Sequence, residues 1–185
     1  MPQRAPAAFD AQLSALSVGR QMAEEGLLLT IAEVSVGFAG FAGIVALFGR
    51  RASGTWSTAD RLRFNSLIRH ALLSLFAALL PLAIYYVDPD HGSPWRSSST
   101  IFGVIFILLI WNSCRRIPEV RASGDSEANV RGAWVLIAGF AVVALGLFLN
   151  AIGVVFQGVA GPYLVAVFFT LTLTGLFFAR LLRFA

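Results

Sequence analysis

"GAWVLIAGFAVVALGLFLNAIGVVFQGVAGPYLVAVFFTLTLTGLFFA", residues 132–179, contains no charged side chain. One crossing of a bilayer core takes about 20 residues of α-helix, so this stretch is far too long for a single span. "FQGVAGPY" (156–163) interrupts it near the middle, with Gly161-Pro162 as the turn and restart signal. The stretch therefore reads as two spans.

Working outward, three more runs with few or no charges can be marked: Gly26 to Phe48, Ala71 to Val87 and Ser97 to Cys114. With 57% hydrophobic and 13% charged residues, the chain has too few polar groups to coat a soluble globule. The expected fold class is all-α, an integral membrane bundle of five transmembrane helices over about 26–49, 58–87, 94–116, 132–156 and 162–183. Residues 26–185 then form one transmembrane domain, preceded by a polar tail over 1–25.

That tail is mixed in charge and contains no signal-peptide core. Phe9, Leu13, Leu16 and Met22 recur at roughly helical intervals. An amphipathic surface helix, an extension of the first span and a disordered tail all fit.

A net charge of +4 and a pI of 10.2 raise the question of nucleic acid, and the positions of the arginines answer it. Five lie between Arg50 and Arg69, four between Arg115 and Arg131, and Arg180 and Arg183 close the chain. In a five-span topology all of these fall on one side, the positive-inside pattern, which predicts the N-terminus out and the C-terminus in. The charge reports orientation, and no nucleic-acid partner is expected. Trp111 and Trp134 fall at the inner boundary, and Tyr85, Tyr86, Trp95 and Tyr163 at the outer one, where amphipathic rings are enriched.

The second helix has the clearest start. In "GTWSTADRLRF" (54–64) Ser57 can cap while Asp60 returns the bond and faces the positive helix end. Pro81, inside the apolar part of this helix, predicts a kink.

"AEVSVGFAGFAGIVALFGRR" (32–51), "WSTADRLRF" (56–64) and "LLPL" (79–82) together resemble a group of small bacterial multi-pass inner-membrane proteins that have no characterised activity. The resemblance covers roughly residues 31–84. It implies a recurring helical hairpin with a basic cytoplasmic turn in a bacterial inner membrane, and implies no function.

Motifs of catalysis are sparse. His70 and His91 are 21 residues and about 31 Å of helix apart, so they cannot share a metal or haem within one chain. All fourteen basic residues are arginine, which excludes a lysine Schiff base. Asp88 and Asp90 in "DPDHG" read as a polar turn, and the lone Cys114 allows no disulfide or thiolate cluster. No catalytic residue, metal or cofactor is assigned.

The best single candidate is Glu33, an acid inside the first span. Beneath it lie Gly37 and Gly40, with Gly43 continuing an adjacent small-residue ridge, a pattern that allows another helix to approach closely. Depth matching places Asn150 of the fourth helix and Thr170 of the fifth in the same half of the membrane. Glu33, Asn150 and Thr170 are therefore expected to form one polar cluster, as interhelical glue or as an ion site. Besides an enzyme built on an unfamiliar constellation, for which no residue stands out, two function classes follow. One is a non-enzymatic membrane protein that forms an oligomer or serves as an accessory subunit beside other membrane subunits; the other is a small oligomeric ion or proton channel or transporter with Glu33 in its pathway.

Overall fold

The computed structural model describes residues 7–53, 58–87, 93–122 and 127–182, with side-chain surroundings given for fewer of these. The chain is an all-helical bundle: α1 (Ala7–Ser53), α2 (Thr58–Val87), α3 (Pro94–Ala122), α4 (Glu127–Ile152) and α5 (Ala160–Leu182). Each helix contains a segment long and apolar enough to cross a membrane: Met22–Val45, Phe64–Val87, Pro94–Arg115, Gly132–Ile152 and Ala160–Arg180.

α1 has 47 residues, about 70 Å, and so extends well beyond a bilayer core. The segment read as a tail thus continues the first helix from Ala7. α2 begins where the sequence predicts, although Ser57, its expected cap, lies outside the described residues, as does the side chain of Asp60.

Every helix buries one stripe at intervals of three and four: Leu28, Ile31 and Ser35 on α1; Leu67, His70 and Ser74 on α2; Phe102 and Phe106 on α3; Phe140, Ala144 and Leu147 on α4; Tyr163, Val167, Thr170 and Thr174 on α5. The opposite faces carry exposed apolar residues such as Leu72, Leu108, Val142 and Val165. A helix that is apolar on its exposed side belongs against lipid. α5 touches all four other helices, whereas α1 touches only α2 and α5 among the described residues. α1 is thus an edge helix.

The glycines that set interhelical distances are not those of α1. A Cβ on Gly139 would lie 2.9 Å from Phe169 Cζ, and one on Gly103 would lie 3.2 Å from the Phe148 ring, so α4 meets α5 and α3 closely at these points. At Gly37, Gly40 and Gly43 no atom lies within 4 Å of an added Cβ, and all three are exposed. Within one chain these three pack against no other helix.

The α4–α5 connection also differs from expectation. α4 ends at Ile152 rather than near 156, and α5 begins at Ala160, which puts Gly161 and Pro162 in its first turn. The turn is made by 153–159, where Gly153 (φ 74°), Gln157 (φ 52°) and Gly158 (φ 74°) are left-handed. Arg96 at the start of α3 causes much of this. Its Nε–H donates to the Ala151 carbonyl at 3.0 Å, placing a cation on the negative end of α4, and its stem leaves no space for a side chain at Gly158.

Candidate functional site

The expected cluster of Glu33, Asn150 and Thr170 does not form within one chain. α1 and α4 do not touch, so Glu33 and Asn150 cannot pair. Matching the depths of three helices fixed a level in the membrane but not which helices are neighbours or which way each face points. The three residues have separate surroundings.

Asn150 is fully buried two residues before the end of α4. Its Nδ2 donates to Ser99 Oγ of α3 at 2.9 Å and to the Val159 carbonyl at 3.0 Å. Ser93 Oγ donates to the Gly158 carbonyl at 2.8 Å. Together with Arg96, these groups tie the 153–159 turn to α3. Asn150 is therefore a structural tie at the turn end of the bundle. Its Oδ1 has no hydrogen-bond partner among the described residues.

Thr170 is buried on α5 and donates back to the Val167 carbonyl at 2.7 Å, while Thr174 donates to the Thr170 carbonyl at 2.9 Å. These hydroxyls satisfy their own helix rather than bridge to another.

Pro81 stands inside α2 without ending it. Lacking an N–H, it leaves the Ala77 carbonyl four residues earlier without its helical donor. Tyr163 of α5 supplies one: its hydroxyl donates to Ala77 O at 2.7 Å. Tyr163, expected in the outer aromatic belt, is fully buried against Phe102 and Trp95, whereas Tyr85 and Tyr86 are exposed. No sequence signal distinguished it from its neighbours, because a tyrosine at a helix start suits both places.

His70 is buried among Phe140 and Phe177. Its Nδ1 lies 2.7 Å from the Ser66 carbonyl; since a carbonyl only accepts, Nδ1 carries the hydrogen. Among the described residues no group of three or more His, Cys, Asp or Glu gathers as metal ligands, and His91 lies outside them.

Glu33 is exposed. It falls near the middle of the Met22–Val45 segment, eleven residues and about 16 Å of helix from Met22. Gly26, Thr30, Glu33, Gly37, Gly40 and Ile44 are all exposed and follow one another at intervals of four and three, so they form one face of α1. Beside this face, between α1 and α5, lies an apolar groove of about 500 Å³ bordered by Val34, Gly37, Phe38, Phe41 and Phe178. Edge contacts of Phe38 and Phe41 with Phe178, at 5.5 and 5.4 Å between ring centroids, hold the groove's walls.

Compared with protein-family models, curated proteins and solved structures, the chain matches none.

Proposed function

We propose that this chain is a non-enzymatic integral membrane protein of a bacterial inner membrane, oriented N-out and C-in, that pairs with a second copy through the Gly26–Ile44 face of α1. The observation that carries the reading is Glu33, an acid at mid-span that faces out of the bundle from a helix face of small residues. A charged side chain against lipid at that depth costs about 2.5–3.5 kcal/mol by insertion scales, so a protein partner for it is strongly favoured.

A second copy fits this face for two reasons. Copies inserted with one orientation bring their α1 helices together in parallel, and alternating four- and three-residue spacing is the seam of a parallel pair. A carboxylic acid is both donor and acceptor, so two Glu33 side chains at one level can satisfy each other. The groove beside Gly37 then receives side chains of the second α1.

Light scattering in detergent tests this. Wild type should run as two chains, and Gly40→Leu should shift it to one, while Val135→Leu on the exposed side of α4 should not. Glu33→Leu should weaken pairing by about 0.6–2 kcal/mol, the range for interhelical hydrogen bonds, whereas Glu33→Gln should retain it. A monomeric wild type, or equal effects at Gly40 and Val135, would reject the pairing.

Glu33 also favours a second reading, a proton or cation pathway. Because the acid faces away from the five-helix core, such a pathway would run between copies. Loss of flux from liposomes in Glu33→Gln with pairing intact would select it over the structural reading.

A further inference from the structure

At the turn end of the bundle, α1, α2 and the start of α3 enclose a cavity of about 330 Å³. We propose that this cavity binds an organic cation, an ammonium carried on an apolar body. Its size is at the lower end of pockets that hold small molecules, about 300–1,000 Å³.

The floor is apolar. Leu28 of α1 with Pro81 and Leu82 of α2 form it, and Leu28 and Pro81 are buried. The walls are aromatic, with Tyr85, Tyr86 and Trp95 all lining the cavity. Tyr85 and Tyr86 meet edge to face, with centroids 5.7 Å apart, and Trp95 is braced by the buried Tyr163 at 6.0 Å. Tyrosine and tryptophan faces attract cations through their ring quadrupoles.

The mouth supplies the sign. Arg20 donates to Glu24 at 3.0 Å, so that the two charges offset one another. Glu25, half-buried and lining the same cavity, makes no ion pair with a described residue. With one arginine and two glutamates the lining carries an excess of one negative charge. An anion would meet Glu25 unfavourably, and a neutral apolar molecule would desolvate it without compensation. A cation with an apolar body satisfies carboxylate, rings and floor together.

Such an ammonium has two sources: a free amphipathic cation, or the headgroup of a zwitterionic phospholipid whose chains lie along the bundle. Benzyltrimethylammonium and its neutral carbon isostere, neopentylbenzene, differ only in charge and isolate the electrostatic part. Both would be titrated into the full-length protein in nanodiscs of anionic phosphatidylglycerol. The charged probe should bind saturably and about tenfold more tightly than the isostere. Glu25→Gln should weaken it about fivefold and Tyr86→Leu about threefold, and Tyr86 is 74% exposed, so its replacement leaves the fold unchanged.

The lipid arm uses native mass spectrometry on protein released from nanodiscs of mixed phosphatidylethanolamine and phosphatidylglycerol. Retention of phosphatidylethanolamine that is lost in Glu25→Gln assigns the site to a lipid headgroup; binding of the free probe without such retention assigns it to a small cation. Equal affinity for the two probes, preferential retention of phosphatidylglycerol, or wild-type binding in both variants would overturn the proposal. Binding is read whether the protein runs as one chain or two, so this result stands apart from the pairing of α1.

Discussion

Pro81 and Tyr163 are bound to one another through a group that neither contains, the Ala77 carbonyl. The proline removes the helical donor and the tyrosine of another helix replaces it. Tyr163→Phe should therefore destabilise the protein by about 0.6–2 kcal/mol, the range for buried hydrogen bonds in membrane proteins. Adding Pro81→Ala should recover much of that loss, because an alanine at 81 returns an N–H to Ala77 and the tyrosine hydroxyl is no longer needed. Thermal unfolding of the four members of this cycle in detergent checks the coupling; strictly additive changes would show that the two residues act apart. The proline was legible in the sequence. Its partner, 82 positions on, was not, since no local pattern names the hydroxyl that will face a freed carbonyl.

At the scale of the helix, α4 carries three glycines at seven-residue intervals, Gly132, Gly139 and Gly146, and sequence reasoning cannot separate the last two. An added Cβ at Gly139 would sit 2.9 Å from Phe169 Cζ, while none of its neighbours comes within 4 Å at Gly146. Phe169 cannot easily yield, because Phe106 and Phe140 flank its ring at 6.4 and 5.5 Å between centroids. Gly139→Ala should thus cost about 1–3 kcal/mol by overpacking, and Gly146→Ala should be neutral or stabilising through better helix propensity. Thermal unfolding of the two variants checks the sign at each site. The small-residue ridge that stood out in the sequence, Gly37, Gly40 and Gly43, belongs to an open face instead. Glycine spacing marks where a helix can be approached and leaves open which helix approaches.

At the scale of the whole molecule, eleven of the fourteen arginines lie within residues 50–69, 115–131 and 180–183, and those in described residues sit where α1 ends and α2 begins, where α3 ends and α4 begins, and in the last turn of α5, the opposite end of the bundle from the 153–159 turn. With an odd number of spans this asymmetry predicts that the C-terminus is cytoplasmic. Reporter fusions at residue 185 and in the 116–131 segment should both read cytoplasmic, and a periplasmic signal at either would reverse the orientation. The cation cavity and the Asn150–Arg96 tie would then both lie at the outer end.

The sequence by itself determined the fold class and the count of five spans. Each of these depends on one dimension alone: a bilayer of fixed thickness demands a run of apolar residues of fixed length, and charge or proline interrupts the run. It also located the groups that are costly in lipid, Glu33, Asn150 and Pro81. Only the tertiary structure decided what surrounds them: Asn150 in a tie to α3, Ala77's freed carbonyl under Tyr163, Glu33 on the outside of an edge helix. The reason is that lipid and protein core are equally apolar. In water the hydrophobic period of a helix tells its inner face from its outer one, but in a membrane both faces read alike, and the choice of neighbour is left to shape and to a few hydrogen bonds that three-dimensional packing alone brings together.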